Sequence, residues 1–256
     1  GEVTQKEVMR VLAPNGVAYV KSGAKWSKTI KPRPDTIDEW THYLHGPSNN
    51  AVAKDSVVGP PTRVQWICGP QWARSHDHLS TTSAMVSSGG RMFYILDEGP
   101  TAFVAMKPRW KLIARDAFNG VLLWKRDIGP WEGHLRGFRT GPAELARRLV
   151  AIGDRVYVTL GYGKAITALN AATGETETVY KDTTGAMEFI CHEGVLLAVV
   201  GDREPGHTDG KLIPVEPKNV WHWWAIYKET PPKKHLVAVN AKTGKLLWKK
   251  DDADTA

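Results

Sequence analysis

The sequence predicts an all-β protein, a β-propeller of four-stranded antiparallel blades, preceded by a short α/β segment. The first observation behind this is a repeat. ARDAFNGVLLW, Ala114 to Trp124, returns as ALNAATGETET, Ala168 to Thr178, and as AVNAKTGKLLW, Ala238 to Trp248. Each copy begins with Ala, has Asp or Asn two residues later (Asp116, Asn170, Asn240) and Gly at the seventh place (Gly120, Gly174, Gly244). The first and third end in Trp; the second has Thr178 there. A fixed internal unit signals a repeated supersecondary element. The second observation is that short apolar runs, bounded by turn residues, fall into sets of four around these copies. Many short strands also suit a sandwich or barrel. A regular internal motif favours the propeller.

Each copy reads as a hairpin. Apolar residues such as Leu236-Val237-Ala238-Val239 run up to the Asp or Asn, which suits a buried strand. Asn119-Gly120, Thr173-Gly174 and Thr243-Gly244 supply the positive φ of a tight turn. The Asp or Asn side chain suits bonds to the turn backbone. The Trp of the following strand is large enough to fill the gap between neighbouring sheets, so Trp124 and Trp248 are expected to be buried.

The first 39 residues are set apart as an α/β piece with a linker, and residues 40–256 as the propeller. Val3, Val8, Val11 and Leu12 have helical spacing, Pro14-Asn15-Gly16 ends the helix, and Val17 to Val20 reads as a strand. Lys21 to Pro34 reads as a Lys-rich linker and Trp40 to Gly59 as a polar lead-in. Thr62 to Cys68 reads as a stray outermost strand, with Trp66 in the place of the repeat's Trp. Three blades follow. Their strands are Ser83–Ser87, Met92–Asp97, Leu112–Asp116 and Val121–Lys125; then Leu149–Ile152, Val156–Leu160, Ile166–Asn170 and Glu175–Tyr180; then Met187–Cys191, Val195–Val200, Leu236–Asn240 and Leu246–Lys250.

The repeat resembles the tryptophan-docking motif of the PQQ-like (quinoprotein-type) β-propellers, from about Trp40 onward. That family includes quinoprotein alcohol dehydrogenases and non-enzymatic scaffolds of the outer-membrane assembly machinery. The resemblance implies a propeller of seven or eight blades and a periplasmic or other extracytoplasmic location. About three blades and one strand are a partial arc, because propellers close with roughly 4–8 blades. The remaining blades are therefore expected from another chain, from the rest of a longer gene product, or from a second copy. Separately, EVMRVLAPNGVAYV resembles the late helix-turn-strand of class I S-adenosylmethionine methyltransferases, E-x-x-R-V-L-x-P-G-G, with Asn15 for the first Gly. The glycine-rich cofactor loop of that family is absent from the sequence.

Composition bounds the partners. The chain has 256 residues and a net charge of +7, with Lys and Arg scattered. No nucleic-acid motif accompanies the charge, so a solvated basic surface is the reading. No apolar run reaches transmembrane length, and no signal peptide is visible at the start, Gly1. Cys68 and Cys191 form no CxxC, haem or zinc spacing. A Cys68–Cys191 pair and two buried free thiols both fit.

Consecutive strands of a blade are antiparallel, so their connections alternate between two faces. On one face the turns are short. On the other, four long connections carry the candidate binding residues. Gly69 to Thr82 holds Trp72, Arg74, His76, Asp77 and His78; Glu98 to Lys111 holds Trp110. Gly129 to Ala146 holds Trp131, His134, Arg136 and Arg139, and Gly201 to His235 holds His207, Trp221, His222, Trp223 and Trp224. His76 and His78 suit a metal ion, but no third ligand is identifiable, and loop hydrogen bonding is preferred. Trp221 to Trp224 suit either stacking on a planar ligand or a small core beneath a long insertion. Arg136 and Arg139 suit an anion clamp or solvated loop charges.

Two functions remain. The resemblance to dehydrogenases implies PQQ stacked on a Trp near the axis, calcium and an Asp base. No Asp here matches such a motif, and the vicinal Cys-Cys of many members is missing. A non-catalytic binding or scaffold module, acting through the long-connection face without a cofactor, needs no further parts and is the expectation.

Overall fold

The computed structural model describes residues 3–56, 62–72, 74, 81–103, 106–131, 143–202 and 233–251. Helix α1 (Gln5–Val11) starts where the Thr4 hydroxyl accepts the Glu7 N–H, an ordinary N-cap. Its exit turn explains the Pro-Asn-Gly string. Asn15 has φ 63°, a conformation that Gly adopts freely and Asn tolerates. A Cβ on Gly16 would stand 2.7 Å from the Ala13 carbonyl oxygen.

Strand β1 (Val17–Ser22) pairs antiparallel with β2 (Lys25–Ile30). The expected linker is therefore half hairpin. Gly23, at φ 59°, makes the turn. Lysine ammonium groups lie over aromatic rings across the pair, Lys21 on Trp26 and Lys28 on Tyr19. Polar strands of this kind carry no burial pattern, which is why the sequence reads as linker.

Three four-stranded antiparallel sheets follow, each in chain order. The first is β3 (Thr82–Ser88), β4 (Arg91–Asp97), β5 (Trp110–Asp116) and β6 (Leu122–Asp127). The second is β7 (Leu149–Ile152), β8 (Arg155–Thr159), β9 (Ile166–Asn170) and β10 (Thr176–Val179). The third is β11 (Ala186–His192), β12 (Val195–Gly201), β13 (Lys234–Asn240) and β14 (Leu246–Asp251). All twelve expected blade strands are present within two residues of their expected ends. Thr62–Cys68 forms no ladder among the described residues.

The second sheet shows how period-2 strands build the core. Leu149, Ala151, Val156, Val158 and Leu169 pack with Phe93, Ile95, Leu112 and Ala114 of the first sheet. Their alternates Val150, Tyr157, Ile166 and Ala168 pack with Phe189, Leu196, Ala198 and Val237 of the third. At about 25 cal/mol per Å2, these two interlayers supply most of the driving force described here.

The repeat explains how one sheet seats on the next. Asp116, Asn170 and Asn240 each accept two backbone N–H groups of the following turn through their side-chain oxygen. Gly120, Gly174 and Gly244 close those turns at φ 73°, 75° and 74°. The missing Cβ also makes a platform. One on Gly174 would lie 2.7 Å from the Trp124 indole, and one on Gly120 2.6 Å from Trp66. Trp124 donates its indole N–H to the Ala171 carbonyl, and Trp66 to that of Ala117, both at 3.0 Å. Where the second sheet meets the third, Thr178 of β10 is too short for this. Tyr180, two residues on and 1 % exposed, replaces it and donates its hydroxyl to the Ala241 carbonyl at 2.5 Å. Ala114, Ala168 and Ala238 are fully buried opposite Trp124, Thr178 and Trp248. Trp248 departs from the expectation of burial. It is 46 % exposed, because no described sheet lies beyond β14 to receive it.

Candidate functional site: the two ends of the sheet arc

Residues 39–45, expected from Trp40 onward as a mere lead-in, cross the first strands of all three sheets. The Trp40 carbonyl accepts the Ser87 N–H of β3 at 2.7 Å, and the Thr41 carbonyl accepts the Ala151 N–H of β7 at 3.0 Å. The His42 ring Nε2 accepts the Cys191 N–H of β11 at 3.1 Å. Ser87, Ala151 and Cys191 each precede a short turn by the same interval, so this segment closes the short-turn end of the inner strands. Glu39 fastens it by accepting the Gly89 N–H at 2.6 Å and pairing with Arg33 at 3.0 Å. Asp38 binds the His45 ring at 2.7 Å, and bonds from the Lys54 and Glu39 N–H groups hold its carboxyl down at about 2. Burial pushes the His42 ring down to about 4, so it is neutral at neutral pH.

At the opposite end a buried ion pair stands out among the described residues. Arg74 meets Asp97 at 2.6 Å with both side chains essentially inaccessible. Arg74 also donates to the Pro100 carbonyl at 2.8 Å and to the Met106 carbonyl. Asp97 accepts the Gly99 and Arg109 N–H groups at 2.8 and 2.7 Å. One connection is thereby locked onto another. Beside the pair lies a cavity of about 370 Å3, with Trp72, Glu98, Thr101, Arg115 and Lys125 in its wall. Lys125 pairs with Glu98 at 2.7 Å.

The expected loop residues divide. Trp72 is 70 % exposed at this end. Trp110 and Trp131 are not loop surface. Strand β5 begins at Trp110, which is buried there opposite Asp97. Trp131 is fully buried and donates its indole N–H to the Ser83 hydroxyl at 2.9 Å. Both fill the first interlayer, where a large apolar ring is worth most. His76, His78, His134, Arg136, Arg139, Trp221, His222, Trp223 and Trp224 lie outside the described residues. Arg74 was visible as a loop residue but had no signal of its buried partner; Glu39 and His42 had none at all.

Neither cysteine reading survives whole. Both thiols are free, with Cys191 buried and Cys68 exposed. Burial raises the Cys191 thiol to about 11. Among the described residues no three His, Cys, Asp or Glu side chains come together as a metal site. Trp110 and Trp131 are enclosed, so neither ring is free to stack on a planar ligand.

The fold resembles solved structures at low identity. A europium-containing methanol dehydrogenase matches at 13 % identity and a TM-score of 0.44, over 83 % of this chain and 31 % of that one. The quinohemoprotein alcohol dehydrogenase from Comamonas testosteroni matches at 13 % and 0.41, over 83 % and 27 %. The chain thus spans less than a third of these structures. No curated protein matches it. A family model described as "Outer membrane protein assembly factor BamB" matches residues 62–226, well over half of the chain. With its sheets, turns and platforms in place, the chain belongs to this PQQ-like propeller family.

Proposed function

We propose that the chain is part of a non-catalytic propeller that binds a protein partner through its long-connection face. The observation that carries this is the contrast between the two ends. The short-turn end is closed by the chain's own residues 39–45. The other end carries the long connections on a scaffold locked by Arg74 and Asp97. Long connections on a rigid frame are where recognition concentrates. The family's description as an assembly factor supports a scaffold over an enzyme, and an extracytoplasmic location. Trp72, His76, His78, His134, Arg136, Arg139 and Trp221 to Trp224 are the proposed contact residues.

Cross-linking in the native cell, read by mass spectrometry, tests this. Partner cross-links should fall within 69–81, 98–109, 129–146 and 201–235. Cross-links confined to the short turns at 89–90, 153–154 and 193–194 would overturn it. Calcium-dependent visible absorbance on adding PQQ would favour the dehydrogenase reading.

A second reading concerns residues 3–31. The exposed apolar side chains of Val3, Val11, Tyr19, Trp26 and Ile30 leave α1, β1 and β2 an unfinished layer. A two-stranded sheet is marginal alone. This favours a preceding α/β domain fused to the propeller, as the methyltransferase-like string suggests.

A further inference from the structure

We propose that Glu39–His42 is an axial staple joining the three sheets, and that protonation of the His42 ring releases the third sheet from it. The staple is asymmetric. It holds the first and second sheets through the carbonyls of Trp40 and Thr41, which do not titrate at ordinary pH. It holds the third through the ring nitrogen of His42, which does.

The hydrogen-bond network assigns the tautomer. Nε2 faces the Cys191 N–H and must carry a lone pair. The ring proton therefore sits on Nδ1, which donates to the Thr41 hydroxyl at 2.8 Å. That hydroxyl in turn donates to the His45 carbonyl at 3.2 Å. Adding a proton puts Nε2–H against N–H, breaks the bond to β11 and buries a charge. His42 is 3 % exposed, so water does not compensate.

Among the described residues no surrounding group offsets that charge. On its own segment His45 is engaged with Asp38. On β11 the Cys191 thiol is held neutral by burial, and His192 lies beside Glu193 at 3.6 Å. Where Tyr43 and His42 line a common cavity with the second and third sheets, Arg147 and Glu188 pair with each other at 2.7 Å. Burial is the main cause holding the ring at about 4, with His192 and His45 pushing the same way, and a bond that Nε2 can accept only when unprotonated also favours the neutral ring. The open state, with the ring in water, titrates near the ordinary 6.5. A depressed native value means that attachment is complete above 6.5 and weakens as pH falls towards 4. Between those limits the opening constant rises about tenfold per pH unit, roughly 300-fold in all.

Amide hydrogen exchange by NMR on the full chain, corrected for intrinsic rates, tests the proposal between pH 7 and pH 4. The opening constant at the Cys191 amide should climb tenfold per unit below 6.5. Those at Ser87 and Ala151 should stay nearly flat. In His42→Gln the side-chain amide carbonyl accepts the same bond without titrating, and the slope at Cys191 should vanish. A flat Cys191 profile in the parent chain overturns the proposal even if His42→Gln does not fold. So does an equal slope at all three amides, or a slope that survives in His42→Gln.

Discussion

Replacing Thr178 by Trp restores the repeat's consensus yet should destabilise the protein. The platform at Gly244 is already in use. A Cβ built there meets the Thr178 methyl at 3.7 Å and the Tyr180 ring at 3.9 Å. Tyr180 is also anchored by its hydroxyl, whose pKa is pushed up to about 12 chiefly by burial, so it remains a donor. An indole at 178 must displace that ring, and forcing extra volume into a packed site costs about 1–3 kcal/mol. Tyr180→Ala alone should cost about 3–5 kcal/mol as a large-to-small change in a core. Tyr180→Phe should cost only about 1 kcal/mol, since the Ala241 carbonyl keeps the Arg155 guanidinium at 3.2 Å. In Thr178→Trp/Tyr180→Ala the indole can take the vacated platform, as Trp124 does on Gly174. The pair should be less destabilised than the sum of the singles by at least about 2 kcal/mol. Urea unfolding of the parent and the four variants measures this. Additive singles, or a stabilised Thr178→Trp with Tyr180 intact, would refute the claim that one residue substitutes for the other.

Gly174→Ala should lose about 2–4 kcal/mol, from the positive φ and the collision with Trp124 together; a loss below about 1 kcal/mol in urea unfolding would contradict the platform role. Asp97→Asn should lose about 3–5 kcal/mol by breaking the buried Arg74–Asp97 pair, which a thermal melt of the variant against the parent will show. A thiol reagent should modify Cys68 in the native chain and Cys191 only after denaturation, because Cys191 is buried with its thiol held well above neutrality; two fast-reacting thiols in the native chain would count against the third sheet's packing.

What was legible in the sequence is what short-range patterning encodes. The strands were visible because alternating apolar residues have no other purpose at period 2, and Gly120, Gly174 and Gly244 because positive φ leaves a compositional trace. Even the Asn15 substitution makes sense locally. The axial staple left no such trace. Its defining bond joins His42 to Cys191 across 149 residues, and nothing in Asp-Glu-Trp-Thr-His distinguishes a polar turn from a segment that spans three sheets. Trp110 and Trp131 escape for a related reason. Long connections suggest exposure, whereas their ends return to the core. Tyr180 was missed because the repeat's aromatic had moved two places along a strand with a bulge between Thr176 and Thr178.

The filled platforms also bear on what can cover the third sheet. Its outer side presents half-buried Ile190, Leu197, Val199 and Leu236, together with Trp248. Trp66, Trp124 and Tyr180 each seat on a turn glycine of the next sheet and donate to the carbonyl three residues before it. Trp248 needs the same of its neighbour. A second copy of this chain has three such glycines, and each is taken: Gly120 by Trp66, Gly174 by Trp124 and Gly244 by Tyr180. Docking copy on copy would have to expel one of them, and residues 62–68 hold Gly120 through the Trp66 indole and a Gln65 bond to the Phe118 carbonyl at 2.6 Å. The covering sheet should therefore be a different sequence with a vacant glycine. Light scattering should find no closed ring built from this chain alone, and Trp248→Ala should change its own unfolding free energy by less than about 0.5 kcal/mol, as for a surface site, against about 3–5 kcal/mol for Trp124→Ala. A stable homo-oligomer that Trp248→Ala dissolves would refute this assignment.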